Sequence, residues 1–245
     1  MPAFALRFVG QEALPARLSE FDLEQFFTLL SDDVAAIRAQ FRSDHRLPAA
    51  LMLLFMRVAG RPLDGFNVLP RSLLRKTAEA LAVSPPSIAS LRSIYKRRQT
   101  LSKHQLWAKT YLGLRELEPD DEAALTAALL AQAADASHSD DLIRSACQWL
   151  FTRRILIPGA RRLQDWARGA FATVEAQILI EVNAAVPPSA ASNVIDSAYS
   201  ARLGGDGTHL EWLRTPPKRH GPSTLAETLE KVRYLKTLGA HDWNL

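Results

Sequence analysis

Residues 71–109, RSLLRKTAEALAVSPPSIASLRSIYKRRQTLSKHQLWAK, combine a helical pattern of apolar residues with a strong excess of positive charge. They hold nine Lys and Arg residues and one acid, Glu79, so their net charge is +8. The other residues sum to −4, which gives the +4 of the whole 245-residue chain. A concentrated positive surface attracts anionic partners, and its placement is more informative than the total charge. This stretch therefore favours a nucleic acid as partner.

The spacing of apolar residues in this stretch predicts two helices joined by a turn. The first is predicted over residues 70–82, with an inner stripe of Leu73, Leu74, Thr77, Ala78 and Leu81. The second is predicted over residues 86–98, with an inner stripe of Ile88, Leu91, Ile94 and Tyr95. Ser84, in the turn, is expected to cap the second helix. This arrangement is typical of a helix–turn–helix unit, whose second helix enters the major groove of DNA.

The outer face of the predicted second helix suits contact with DNA. Ala89 and Ser93 are small enough to let the helix approach base edges, and Arg92 can read guanine through its O6 and N7 atoms. Basic residues around them can reach phosphates, which position a protein on the duplex. The predicted DNA-binding set is Arg71, Arg75, Lys76, Ser84, Ala89, Arg92, Ser93, Lys96, Arg97, Arg98, Thr100, Lys103, His104 and Lys109.

Three points leave alternatives open. His104 is either a phosphate donor or a residue that caps and packs. The turn position that usually takes glycine holds Ala82, where a positive φ costs about 1 kcal/mol relative to glycine. The turn is therefore either ordinary and strained, or longer and differently shaped. Finally, an ordinary pair of packed helices with a solvated basic face would show the same periodicity.

Helical periodicity continues along the rest of the chain, so the predicted fold is all-α, built from multi-helix DNA-binding modules. A larger N-terminal module is predicted over residues 1–185, a linker over 186–222, and the start of a second helical module over 223–245. The run 177–182 resembles a strand but lies inside a long helical pattern, so we predict helix there. A secondary basic patch, either solvated or in contact with the DNA backbone, consists of Arg153, Arg154, Arg161 and Arg162.

No group of residues has the spacing of a catalytic or metal site. The acidic runs 120–122 and 140–141 open predicted helices, where the helix dipole favours acids. The histidines do not form H-E-x-x-H, and a single cysteine, Cys147, excludes an internal disulfide and a thiolate zinc site. No apolar run approaches the roughly 18 residues of a membrane span. We expect a cytoplasmic protein with no catalysis, cofactor, metal or membrane partner of its own.

The residues from Tyr95 to Gly113 follow the pattern Y-x-R-R-x-T-x-x-x-H-x-x-x-x-x-x-Y-L-G. This pattern resembles the N-terminal region of the large replicative transposases of the Tn-three family, the ampicillin-transposon type. A looser likeness to that family is found in residues 21–30, 46–60, 155–163 and 225–239. The resemblance thus extends over nearly the whole chain.

The resemblance implies that the chain is the DNA-binding front end of such a transposase, in a bacterium and at the nucleoid when bound. In that family the N-terminal helical modules bind the terminal inverted repeats of the transposon as double-stranded DNA. A later RNase H-like domain carries an acidic catalytic triad with magnesium, and self-association would occur through that parent protein. Two alternatives stay open: a protein-interaction module that assembles the transposition complex, and a stand-alone helix–turn–helix transcriptional regulator.

Overall fold

The computed structural model describes residues 6–66, 68–185, 188–202, 207–216 and 222–238. Within these ranges the chain forms twelve α-helices, and its only β structure is two isolated bridges. The all-α prediction is confirmed. The helices are α1 Glu20–Gln25, α2 Ser31–Gln40, α3 Ser43–Ala59, α4 Arg71–Leu81, α5 Ile88–Tyr95, α6 Arg98–Tyr111, α7 Pro119–Ala133, α8 Ser139–Thr152, α9 Ala160–Ala185, α10 Pro188–Tyr199, α11 His209–Arg214 and α12 Pro222–Thr237.

The chain divides into two compact units, Met1–Phe171 and Ala172–Leu245. The sequence placed a boundary near residue 185, at the end of α9, because helical periodicity runs without a break to that point. The segment expected as a linker, 186–222, carries α10 and α11. Lys218, Arg219 and His220, which fall in this segment, lie outside the described residues.

The first unit is built around α3. Every residue of α3 from Leu47 to Met56 is buried, and α2, α4 and α6 pack against this helix. The helix begins at Ser43, so Pro48 lies in its second turn. Proline lacks an N–H group but has the backbone angle of a helix, so it is accommodated near the helix start with the loss of one hydrogen bond.

Gly60 joins the end of α3 to a later segment. It ends the helix with φ 72°, in the left-handed region that favours glycine. A Cβ atom at this position would lie 2.8 Å from Cδ2 of Phe151 and 2.9 Å from Cδ1 of Ile157. The Gly60 carbonyl also accepts a hydrogen bond from the Ile157 N–H at 2.9 Å. Two of the segments that carry the family resemblance, 46–60 and 155–163, therefore meet here.

The two predicted basic helices are present, but with shorter bounds and a longer connection. They are α4 and α5, rather than residues 70–82 and 86–98. Ala82 follows α4 in the left-handed region with φ 53°. The Val83 N–H donates to the Ala78 carbonyl at 3.0 Å, as in a helix ending usually made by glycine. The inner stripe of α4 is buried as predicted, and in α5 Leu91 and Tyr95 are buried with Ile88 and Ile94 packed beside them.

The cap of α5 is Ser87, and the prediction of Ser84 is wrong. The Ser87 hydroxyl accepts a hydrogen bond from the Ser90 N–H at 3.1 Å. Residues that precede proline avoid the helical region, so the chain stays extended through Pro85 and Pro86 before α5 can begin. In the finished fold α4 packs mainly on α3 and α5 mainly on α6, and the direct contact between α4 and α5 is slight.

The second unit contains a small aromatic cluster. The His209 ring stacks on Tyr234 with centroids 4.4 Å apart, and Trp212 meets Tyr234 edge-on at 5.9 Å. The Tyr234 hydroxyl donates to the Ser197 carbonyl at 2.9 Å, which ties α12 to α10. None of the helices in the described ranges combines the length and apolar character that crossing a membrane requires.

Candidate nucleic-acid interface

The junction between α5 and α6 is fixed from the inside by Tyr95 and His104. The buried Tyr95 hydroxyl lies 3.0 Å from the Pro48 carbonyl and 3.1 Å from Nδ1 of His104. A carbonyl can only accept, so the hydroxyl proton goes to Pro48 and His104 carries its proton on Nδ1. The Tyr95 ring also stacks on Phe66 with centroids 4.7 Å apart. These contacts hold the start of α6 against α3.

His104 belongs to the core, which decides between its two predicted roles. Its side chain is only 1% exposed, and burial, followed by the nearby His45 and Lys103, lowers its pKa to about 4. The imidazole is therefore uncharged at neutral pH and donates to Tyr95, not outwards. His104 is a packing residue of the α5–α6 junction, and its assignment as a surface phosphate donor is corrected.

Four cations between Tyr95 and His104 are exposed to solvent. Lys96, Arg97 and Arg98 are exposed at the point where α5 ends and α6 begins, and Lys103 is exposed one turn later. Among the described residues none of these four cations, nor the exposed Arg71, has an acidic partner or a hydrogen bond from its charged group. We call Lys96, Arg97, Arg98 and Lys103 the junction cations. Their charge is available to a ligand.

Four other predicted cations are engaged within the protein. Lys76 donates from Nζ to the Leu23 carbonyl at 3.0 Å, and Arg92 donates from Nε to the Phe66 carbonyl at 2.8 Å. Arg75 lies 3.9 Å from Glu79, and Lys109 lies 2.5 Å from Glu116. Within the described ranges, the structure thus separates the predicted basic set into cations with protein partners and cations without them.

The uncharged members of the predicted set are spread over the same region. Ser84 is exposed in the connection before α5, and Ala89 and Ser93 are exposed on α5. The Ser93 hydroxyl donates to the Ser90 carbonyl at 2.8 Å. Thr100 is half-buried in the first turn of α6, where it lines a cavity.

Two of the four arginines in the secondary basic patch contact aromatic rings or acids. The Arg153 guanidinium lies 3.9 Å from the centre of the Trp149 ring. Arg162 pairs with Glu122 at 2.8 Å and lies 5.0 Å from the Trp166 ring. Arg154, at φ 55°, and Arg161 are exposed.

Residues 11–170 match the family described as a domain of unknown function, DUF4158. The chain belongs to the DUF4158 family. The matched region contains α1 to α8 and the start of α9, and so includes both the Tyr95–His104 pair and all four junction cations.

This DUF4158 protein is similar to two transposases. It is 31% identical over 241 residues to the transposase for insertion sequence element IS1071 in transposon Tn5271 of Comamonas testosteroni, across 98% of this chain and 25% of that protein. It is 24% identical over 232 residues to the transposase for transposon Tn1546 of Enterococcus faecium, across 89% of this chain and 22% of that protein. The chain spans about a quarter of the length of these curated relatives.

The structure of the DUF4158 chain adds two residues that sequence reasoning missed. Arg42 and His45, at the start of α3, line one cavity together with Thr100 and Lys103 of α6. They were missed because they precede the basic stretch by more than twenty-five positions. In the part of the chain that is described, no three His, Cys, Asp or Glu residues are grouped to hold a metal ion.

Proposed function

We propose that this chain is the N-terminal DNA-binding region of a Tn-three family transposase and that it binds the terminal inverted repeats of its transposon. The observation that carries the proposal is the set of junction cations, which have no acidic or hydrogen-bonding partner for their charged groups in the part of the protein that the structure describes. Solvated cations of this kind release the counterions of DNA when they reach phosphates, and this supplies much of the affinity for a duplex. The similarity to two transposases supports the same conclusion.

The exposed face of α5 and the arginines that follow it have different roles in recognition. Ala89 and Ser93, on the exposed side of α5, let this helix approach the base edges of the major groove. Arg97 and Arg98 follow at the end of α5 and contact the phosphate backbone, which sets the register of the helix. Arg71, at the start of α4, adds a further backbone contact. DNA cutting and its magnesium ions are assigned to the remaining length of the transposase.

A competition experiment with two duplexes tests the proposal. The chain is titrated into a labelled duplex that carries the terminal inverted repeat of its element, followed by competition with a shuffled duplex of the same length and composition. Specific binding should favour the repeat by about a thousandfold, the low end of the range for specific DNA-binding proteins. Equal competition by the two duplexes would refute inverted-repeat recognition.

Assembly of the transposition complex is a second candidate function, and α12 favours it. Leu225, Leu229, Val232 and Leu235 of this helix are between 43% and 62% exposed. An apolar stripe of this kind is typical of a surface that meets another protein segment. A random duplex at low salt separates the two functions, since a module with only a protein partner should leave the duplex unbound.

A further inference from the structure

The second unit leaves an unusual amount of apolar surface in water. None of its described residues is buried. Of the fourteen large apolar residues that are exposed in the described ranges, nine lie in this unit, which spans less than a third of the chain. Small units with little core of their own are often completed by association, and exposed apolar patches mark the surfaces that associate. The surface of this unit is therefore typical of an interface with another protein.

One exposed apolar face, on α12, has positive charge at its edge. Leu225, Leu229 and Val232 follow one another at four and three positions, which places them on one side of the helix, and they are 62%, 47% and 44% exposed. Arg233 and Lys236 lie one turn after Leu229 and Val232. Both cations are exposed, and neither has an acidic partner within the described ranges. The two acids of α12 are already paired with cations of the same unit.

A second exposed apolar face, on the part of α9 that belongs to this unit, has the opposite charge. This part of α9 contains two acids, Glu175 and Glu181, and no base, so its net charge is −2. Ala172, Ala176 and Leu179 repeat the spacing of four and three positions, and all three are exposed. Glu175 lies one turn before Leu179, and it has no cationic partner in the part of the chain that is described. The alanines allow another helix to approach closely.

We propose that α12 of one copy of this chain packs against the second half of α9 in a second copy, and that the two copies exchange these contacts about a two-fold axis. Both faces are carried by the same chain and both stay exposed within one copy, so a second copy supplies each face with its opposite. In a two-fold dimer each surface is used twice, and the assembly is closed.

Charge decides which faces meet. When α12 packs against α9, the unpaired Arg233 and Lys236 meet the acidic segment that holds Glu175 and Glu181. Pairing α12 with α12 would leave these cations without acids, because both acids of that helix are already engaged. Complementary charges of this kind fix the partner and the register of an interface. The inference goes beyond the proposed function and does not rest on it.

Charge reversal tests the pairing by analytical ultracentrifugation of the chain in the absence of DNA. E175K/E181K makes the α9 face basic, and R233E/K236E makes the α12 face acidic. Each double variant gives the two faces the same sign, so dimerisation should weaken by at least about tenfold. The variant with all four changes restores opposite signs, and its dimer affinity should return to that of wild type. Circular dichroism melting confirms that every variant is folded.

A second variant tests the apolar part of the interface. Leu229→Asp places an unpaired charge in the contact and should weaken the dimer by about a hundredfold. The matched control is Leu106→Asp, the same change at a leucine of the first unit that is 62% exposed, and it should leave the dimer unchanged. A wild-type chain that sediments as a monomer up to its solubility limit would overturn the proposal, and so would a dimer that all of these variants leave intact. Neither result would affect inverted-repeat binding, which the duplex competition tests separately.

Discussion

The α5–α6 junction and the patch around Arg153 have similar basic sequences but use their charges differently. In the patch, Arg153 stacks on Trp149 and Arg162 is paired with Glu122. At the junction, Lys96, Arg97, Arg98 and Lys103 have no acidic partner among the described residues. We therefore expect a run of arginines to mark a ligand site only where the fold leaves it without acids and aromatic rings.

Arg57 has a third role, as one half of a buried ion pair. Its removal is expected to have the largest effect of the changes considered. Arg57 makes two hydrogen bonds to the buried Asp33 carboxylate, at 2.9 and 2.5 Å, and Tyr111 donates to the same carboxylate at 3.0 Å. Arg57→Ala leaves Asp33 buried without its counter-charge. We expect the free energy of unfolding to fall by about 3 kcal/mol, the lower end for a broken buried pair, as measured by urea denaturation.

The matched control for this variant is Arg144→Ala, which breaks an exposed pair with Asp141 and should cost less than about 1 kcal/mol. Equal losses in the two variants would contradict the structural role assigned to Arg57.

Acid pH tests whether the junction is held from within by a neutral imidazole. The folded pKa of His104 is about 4, below the ordinary value of 6.5. Between these two pH values the unfolded chain binds a proton that the folded chain does not, so stability falls as the pH falls through this window. The loss should be on the order of 3 kcal/mol by pH 4.

Urea unfolding at a series of pH values measures this loss, and His104→Gln should flatten the profile between pH 6.5 and 4 because the titrating group is gone. An unchanged profile in His104→Gln would show that the acid sensitivity arises elsewhere.

The next effect is a loss of duplex affinity when junction cations are removed. R97A/R98A removes two exposed charges that have no partner to lose within the described residues, so stability should be unchanged. Two charge-assisted contacts of about 1.5 kcal/mol each correspond to a roughly hundredfold loss of affinity for the inverted-repeat duplex. Fluorescence anisotropy at fixed salt measures it.

The smallest change in duplex affinity is expected from substitutions in the secondary basic patch. R153A/R162A removes the same amount of charge as R97A/R98A, but from arginines that are held by Trp149 and Glu122. We expect less than about a twofold change in duplex affinity, because rim charges without a phosphate contact act only through the screened net field. A loss comparable to that of R97A/R98A would erase the distinction between the two regions.

Much of the fold was predictable from the sequence because apolar periodicity dictates which helix faces are buried. The inner stripe of α4 and the long helix α9 followed directly from it. The start of α5 was not predictable, because the two prolines between Ser84 and Ser87 extend the chain. This extension decides which of the two serines caps the helix. The boundary between the two units at Phe171 was not predictable either, since the helical pattern of α9 continues through it without a break.

The sequence predicted most of the basic residues of the candidate site. It did not predict which of them the fold would leave exposed and which it would engage or bury. Sequence reasoning identified the junction cations together with cations that the fold engages, such as Lys76, whose partner is the Leu23 carbonyl fifty-three positions away. It could not place His104, since an imidazole next to Lys103 has the same sequence context whether it is inside or outside. It missed Arg42, which joins the site only through the packing of α3 on α6.

The most direct test of the account is the salt dependence of duplex binding for wild type, R97A/R98A and R153A/R162A, measured side by side. If the junction cations contact phosphates, the slope of log affinity against log salt should fall by about 1.8 in R97A/R98A, at about 0.9 for each lost contact. The slope of R153A/R162A should match wild type. Equal slopes for R97A/R98A and wild type, or equal reductions in the two variants, would contradict the account.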